Sequence, residues 1–362
     1  MKKNKLYLAG VIFIIFSLIC FGYVEKSFAE KPIILKYAAY WPLECPNGLV
    51  TNWWMNEIEK RTNGRVKWER YWAQSLVKAA DGLKAVSSGI SDANIVSVGY
   101  GPSDLPLSTA LELPLIVPKG SIWVHMKLAE ELYNSHPAFQ KEWNKFNVKV
   151  IGLNPVPTGL IITKGKQVKT LEDLKNLKLR SYGYIGRTLN KMGAVSVSMP
   201  APEMYTAIQR GTVDGAHFVL ASIESFKLHE VSKYITVNTG LEVYACLVDV
   251  MNLKTWNKLP TEIQKIIEDI NREWVENATR IWMEEEKKAV KFLIEKGLIF
   301  YKLPKEEKAR WAAASRPTEF YDEWIKEKAK LGLPSADYLN EVQGLVKKFE
   351  GMDEYYKMPK FD

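Results

Sequence analysis

Residues 207–220 read AIQRGTVDGAHFVL and residues 85–98 read AVSSGISDANIVSV; laid side by side without gaps, Gly211 falls on Gly89 and Asp214 on Asp92. Each stretch reads as the end of a helix, a glycine free to take the left-handed capping conformation, a turn through aspartate and an apolar strand. One such unit predicts a helix feeding a sheet. Two of them, far apart in one chain, predict two sheets in two lobes.

The surrounding sequence alternates in the same way. Before the first copy come a β-like run, PIILKYAAY (32–40), a helical run ending in Asn-Gly, GLVTNWWMNEIEKRTNGR (48–65), a strand, VKWERYW (66–72), and a helix, LVKAADGLKAVSSG (76–89), that feeds the strand ANIVSVGY (93–100). Around the second copy stand VKVIGLNPV (148–156), GLIITKG (159–165), a helix opened by Thr170 with Asp173 three residues on, LKLRSYG (177–183), GYIGRTLNKMG (183–193), VSVSMP (195–200) and APEMYTAIQRG (201–211). VYACLVDVMN (243–252) then leads into a helical pattern from about Pro260 to Lys296, too long for one compact lobe. The order is α/β. In open α/β sheets ligands bind beyond the carboxyl ends of the strands, which places Ser97 to Gly101 on one side of a cleft and His217 to Leu220 on the other.

Composition supports two ordinary lobes: 362 residues, 47% hydrophobic and 25% charged, with 12 Trp and 17 Tyr, is ample material for two cores. The first 29 residues fall outside them. Lys2, Lys3 and Lys5 precede the apolar run LYLAGVIFIIFSLICFGYV, and Ser27 and Ala29 supply small residues before Glu30, the pattern of a cleaved secretory signal and hence of a periplasmic protein. An uncleaved anchor is the alternative; a lipoprotein through Cys20 is disfavoured by the bulky Ile19 before it. Taking the segment's four lysines and one glutamate from the net charge of +8 leaves +5, with both signs interspersed along the helices. A nucleic-acid footprint is not indicated, and a small anionic ligand is compatible. Cys45 and Cys246 remain; they could pair in an oxidising compartment, though the unpaired reading is preferred.

Arg180 stands at the end of the short run LKLRSYG, before a Tyr-Gly-Tyr turn, with no acidic residue between it and Met199. A guanidinium so placed is either salt-bridged from elsewhere or aimed at an anionic ligand. Its two parallel N–H donors match a carboxylate, and its charge does not depend on pH.

The blocks KTLEDLKNLKLRSYG, GAVSVSMPAPEMYTAIQRGTVDGA and HEVSKYIT, in that order, with EIEKRTNGRVKWERYWAQSL and LELPLIV earlier and WNKLPTEIQKIIEDI later, resemble the extracytoplasmic solute-binding proteins of TRAP transporters, the DctP-like family. The resemblance spans roughly Leu35 to Leu303. It implies a two-lobed periplasmic-binding-protein (Venus flytrap) fold with hinge strands and a long helix bridging both lobes. It also implies an organic anion captured between the lobes and handed to TRAP membrane permease subunits, without ATP. The expected division is lobe I from 30–153 plus about 241–273, lobe II from 154–240 plus about 274–340, and a C-terminal helix or tail over 341–362.

Arg180 occupies the position of the arginine with which that family grips a substrate carboxylate. Many members carry a second arginine near the start of lobe II and a Glu and Asn after VDG; here those regions read NPVPTGLIITKG and DGAHFVL, so sialic acid and dicarboxylates lose support. Members that bind 2-oxo acids or lactate have Glu-Trp after DGA and use the Glu near a cation; His217 and Phe218 fall there, which keeps an aromatic wall and removes a hard oxygen ligand. His217 either donates to the ligand or satisfies a backbone carbonyl, and Phe218 either lines the site or fills the core. Further candidate wall residues are Tyr40 and Trp41 after the first strand, Gln74 in the loop after VKWERYW, Tyr100, Tyr182 and Tyr205. One charged anchor with apolar walls predicts a monocarboxylate with an apolar or aromatic body. No cofactor and no metal are expected, and the mature chain is read as a soluble monomer. An enzyme is disfavoured: there is no G-x-S-x-G, P-loop, H-E-x-x-H or CxxC, GYGPSD has only two of the three dinucleotide-site glycines, and the four histidines show no ligand spacing. A binding protein of an ATP-driven importer or a sensor system, and a noncatalytic scaffold, remain as alternatives.

Overall fold

The computed structural model describes residues 31–353 apart from 119–120, 155, 157–158 and 238. The expected signal segment lies outside them. No helix among the described residues is long and apolar enough to cross a membrane.

The two echoed stretches build the same corner twice. In the first, the helix Gly82–Ser88 ends at Gly89 (φ +80°) and runs through Asp92 into β3 (Ala93–Ser97). In the second, the helix Met204–Gln209 ends one residue before Gly211 (φ +71°), and the chain passes Asp214 into β8 (Gly215–Phe218). The aspartates do identical work. Asp92 accepts the Lys36 N–H of β1 (Ile33–Ala38) through its carboxylate at 2.8 Å and returns its own N–H to the Lys36 carbonyl at 2.9 Å. Asp214 makes the same exchange with Lys178 of β6 (Lys178–Ser181), both bonds 2.8 Å. Each aspartate thus pins a neighbouring parallel strand, β1 at its fourth residue and β6 at its first, which makes β1 the counterpart of β6 and β3 that of β8.

Two mixed sheets follow. The first runs β2 (Val66–Tyr71), β1, β3, β10 (Leu247–Asn252), β4 (Val148–Leu153), with β10 antiparallel to both neighbours. The second runs β11 (Ile299–Lys302), β9 (Tyr234–Val237), β5 (Leu160–Thr163), β8, β6, β7 (Val195–Ser198). β4 and β10 are the strands from which the chain crosses: Asn154 N–H donates to Leu247 O at 2.8 Å and Val156 N–H to Ala245 O at 2.9 Å, so the two connections run side by side.

The expected single helix from Pro260 to Lys296 is instead two, Thr261–Asn271 and Trp274–Glu295. No Gly or Pro marks the break, so the apolar period runs through it; the joint is held from outside. Arg61 grips Glu273 with both guanidinium prongs (2.6 and 2.8 Å) and Trp54 Nε1 donates to Asn271 at 2.8 Å. The helix Trp274–Glu295 starts on the first sheet, where Trp274 Nε1 donates to Leu153 O at 3.1 Å, and ends on the second, where it packs on the turn 220–222. Gly152 is required at that start, because a Cβ there would stand 2.3 Å from the Trp274 ring.

Two further expectations are corrected. The segment opened by Thr170 is only a 3-10 turn, Leu171–Leu174, although Asp173 does accept the Thr170 N–H at 3.0 Å. The boundary expected at 340 falls inside one helix, Ser335–Phe349, whose stripe of Tyr338, Val342, Val346 and Phe349 is continuous. With the helix Pro317–Ala329 it packs on the first lobe: Trp324 Nε1 donates to Thr109 Oγ1 at 2.8 Å and Tyr321 OH to Pro114 O at 2.9 Å. Unanticipated helices at Ile122–Ser135 and Pro137–Asn144 fill the space beneath.

Candidate functional site

The residues at and after the carboxyl ends of β1, β3, β6 and β8 meet in one cavity. Arg180 is the penultimate residue of β6 and is 2% exposed. Its Nε donates to Met199 O at 2.9 Å and its Nη2 to the Tyr100 hydroxyl at 3.1 Å, while its Cζ lies 4.8 Å from the centroid of the Tyr182 ring. Every one of these partners is neutral. No carboxylate among the described residues comes within ion-pair distance of Arg180, so the fork carries an uncompensated buried charge and can hold an anion.

Arg180, Tyr100, Tyr182, His217, Phe218 and Trp41 line one cavity of about 30 Å³, with Val156, Ile185, Val219 and Val243 as further apolar wall. The aromatics form a chain. Tyr182 packs on Tyr100 (4.7 Å between centroids), Tyr100 on Tyr40 (5.7 Å), Tyr40 on Trp41 (5.5 Å), and Trp41 stacks on Phe218 at 6.1 Å and 11°. Tyr40, Trp41 and Tyr100 come from the first lobe, Tyr182 and Phe218 from the second. Burial drives the hydroxyls of Tyr40, Tyr100 and Tyr182 above the ordinary tyrosine range, with the Arg180 charge pulling the other way in all three. They are neutral donors and acceptors at any physiological pH.

His217 is 5% exposed, and burial, with the Arg180 charge added, lowers its pKa to about 4. It is a neutral imidazole. Its Nε2 has no hydrogen-bond partner, and the backbone of Gly159 lies so close that a Cβ there would be 2.2 Å from the ring. A buried polar atom without a partner costs roughly 1 to 3 kcal/mol, which a ligand oxygen or N–H could recover.

The remaining predicted residues lie elsewhere. Tyr40 and Tyr205 border a second, outer space of about 370 Å³ lined by both lobes, and Tyr205 OH donates to Glu230 at 3.1 Å. Gln74 lines neither space; its side-chain oxygen accepts the Ala79 N–H at 2.9 Å and so braces the loop after β2. Cys45 and Cys246 are buried and free, with Cys45 Sγ 3.0 Å from Pro42 O.

Sequence reasoning missed Glu112. It sits in a 3-10 turn, Ser108–Glu112, within an apolar run that offers no periodicity to read. Its side chain is 1% exposed and accepts the Cys246 N–H at 3.0 Å. Burial lifts its pKa to about 8 against the pull of the Cys246 and Gly99 amides. Gly99 and Gly183 cover it: a Cβ on either would come within 2.9 or 3.1 Å of its Oε2, and Gly183 also has φ +52°. Among the described residues no group of His, Cys, Asp and Glu is arranged to hold a metal ion.

The C4-dicarboxylate-binding periplasmic protein DctP of Rhodobacter capsulatus is 28% identical over 299 residues, 79% of this chain and 85% of its own. A marine-metagenome TRAP solute-binding protein specific for aromatic acid ligands, solved with 3-hydroxybenzoate, is 26% identical with a TM-score of 0.80, covering 89% of this chain and 100% of that one. A TRAP solute-binding protein from Rhodoferax ferrireducens, solved with copurified benzoate, superposes with a TM-score of 0.82 over 88% of this chain and 99% of its own at 22% identity, and shows the shared fold. Residues 37–327 match the model of the DctP family, and the chain belongs to it: a bacterial extracellular solute-binding protein of family 7, a transporter's binding component and not an enzyme.

Proposed function

We propose that this protein captures a monocarboxylate with an apolar or aromatic body between its lobes, in the periplasm, and delivers it to the membrane permease of a TRAP transporter. The observation that carries the reading is Arg180: a guanidinium 2% exposed, bonded only to neutral oxygens, in a cavity otherwise lined by apolar and aromatic residues and the neutral His217. One fixed positive charge favours one carboxylate. Among the described residues lining that cavity no second cation is present, which disfavours a dicarboxylate. The neutral His217 Nε2 suits a hydroxyl, oxo or ring substituent beside the carboxylate. The aromatic-acid-binding relative at 26% identity supports the same class.

The test compares benzoate with benzamide by calorimetry on wild type and Arg180→Ala. Preference for the acid in wild type and its loss in the variant would support the reading. Equal binding of both by both proteins would make Arg180 structural and refute it.

A further inference from the structure

The inner cavity and the outer space are separated by a seam of three rings. Trp41 belongs to the first lobe; Phe218 and Phe226 belong to the second. Phe226 meets Trp41 edge to face at 5.2 Å and 86°, and Phe218 at 5.3 Å and 83°. Trp41 and Phe218 line the inner cavity of about 30 Å³, whereas Phe226 lines the outer space of about 370 Å³. Phe226 is partly exposed, yet its position is fixed. Its N–H donates to Ser222 O at 3.2 Å, and the next residue, Lys227, takes the left-handed conformation (φ +56°), with its own N–H on Glu224 O at 2.8 Å. A lysine in that region is held there at a cost of order 1 kcal/mol, so the turn that aims Phe226 is determined by its surroundings.

We infer that Phe226 sets the length of the acid this protein accepts, by seating Trp41 across the end of the cavity when the lobes meet. This rests on the carboxylate reading above. The two lobe II rings move as one body and Trp41 moves with the other. A ligand held at Arg180 whose body ends before the seam spreads the walls of the inner cavity and still lets Trp41 dock on Phe226. A longer body lies between the two rings and keeps them apart, so the lobe contacts that stabilise the bound form are lost. With Phe226 removed, the inner cavity and the outer space join, and a long tail has an apolar exit that closure tolerates.

The experiment measures Kd for benzoate and for 4-phenylbutanoate by calorimetry on wild type, Phe226→Leu and Phe226→Ala, with circular dichroism and thermal midpoints showing that each variant is folded. Wild type should prefer benzoate. Phe226→Ala should change the ratio of the two constants in favour of 4-phenylbutanoate by about tenfold or more, the scale on which apolar pockets discriminate by size, with Phe226→Leu between. An unchanged ratio in folded variants that still bind benzoate overturns the inference and leaves the carboxylate reading standing. Wild-type preference for 4-phenylbutanoate also overturns it alone. Absence of binding of either acid to any of the three proteins removes the aromatic-acid reading and this inference together.

Discussion

Tyr100 and Arg180 are joined across the cleft: the guanidinium Nη2 donates to the tyrosine hydroxyl at 3.1 Å, and the same oxygen accepts the backbone N–H of Ala201 at 2.9 Å. One first-lobe hydroxyl therefore occupies two second-lobe donors. The oxygen is neutral, and a carboxylate is the stronger partner for a guanidinium. The tie thus holds the fork in place without competing with an anion for it.

The two residues should separate under mutation. Arg180→Ala removes the charge partner of a desolvated carboxylate, a loss on the order of 2 to 5 kcal/mol, so affinity should fall about 30-fold to several thousandfold. Arg180→Lys should recover part of it, since an ammonium lacks the planar fork. Tyr100→Phe leaves the charge and frees two cleft-facing donors to pair with water or the ligand, so the net loss is that of a hydrogen bond, about 1 kcal/mol, and affinity should fall only about fivefold. Calorimetry on the three variants checks the order. A Tyr100→Phe loss as large as that of Arg180→Ala would make the tyrosine the anchor.

The corner built by Asp92 and Asp214 was legible because backbone grammar is local: a glycine cap, an aspartate and an apolar strand follow one another in the chain. Arg180 was legible for a related reason, being a lone charge at a strand end. What escaped depends on contacts between distant segments. The helix joint at Arg272 and Glu273 is imposed by Arg61, more than two hundred residues earlier, and leaves the apolar period unbroken. Glu112 and Phe226 sit in short turns, where no period exists to assign a face. Gln74 shows the converse: the side-chain oxygen of a polar loop residue bonds within its own loop, a contact the sequence does not announce.

Glu112 should make the protein less stable as the solution becomes alkaline. Its pKa is near 4.5 unfolded and about 8 folded, so between those values the folded state holds the extra proton, and stability present below pH 4.5 is lost as pH rises toward 8. Asp249 and Glu286, both raised by burial to about 7, act with the same sign. His217 and His125, both lowered to about 4, act oppositely, but only between about pH 4 and their ordinary 6.5. The slope above pH 7 therefore belongs chiefly to Glu112, up to about 1.4 kcal/mol per pH unit for one proton. Glu112→Gln keeps an acceptor for Cys246 N–H and cannot ionise. Denaturant midpoints from pH 6.5 to 8.5 should fall for wild type and flatten for the variant; parallel curves would mean that Glu112 is ionised in the folded protein.

Ligand binding should not require a cation. The position that would offer a hard ligand carries His217, neutral, buried and under the repulsive influence of Arg180, and a site already holding an uncompensated guanidinium disfavours a second positive charge. Calorimetry in chelator-treated, sodium-free buffer should give the same Kd as in buffer with calcium and sodium. A strict requirement for either ion would locate an oxygen-rich site that the lining residues do not provide.

Binding should also require the lobes to part and close. The cavity of about 30 Å³ has room for roughly two waters, and Trp41 stacked on Phe218 at 6.1 Å with Tyr100 bonded to Ala201 closes its sides. No acid with an apolar body reaches Arg180 past those contacts while they stand. The connections that can bend are few: the paired segments at Asn154 and Leu247, the helix Trp274–Glu295, and the return from β11 to the helix Pro317–Ala329 on the first lobe. Opening breaks aromatic contacts worth about 0.5 to 1.5 kcal/mol each and a pair of hydrogen bonds, so both forms are within thermal reach. Solution scattering should therefore give a larger radius of gyration for the free protein than for protein saturated with benzoate. Trp41→Ala, which removes the stacking partner from one lobe, should enlarge the free protein further and weaken binding. Identical profiles with and without a bound acid would show that the ligand enters by side-chain rotation alone, with the lobes fixed.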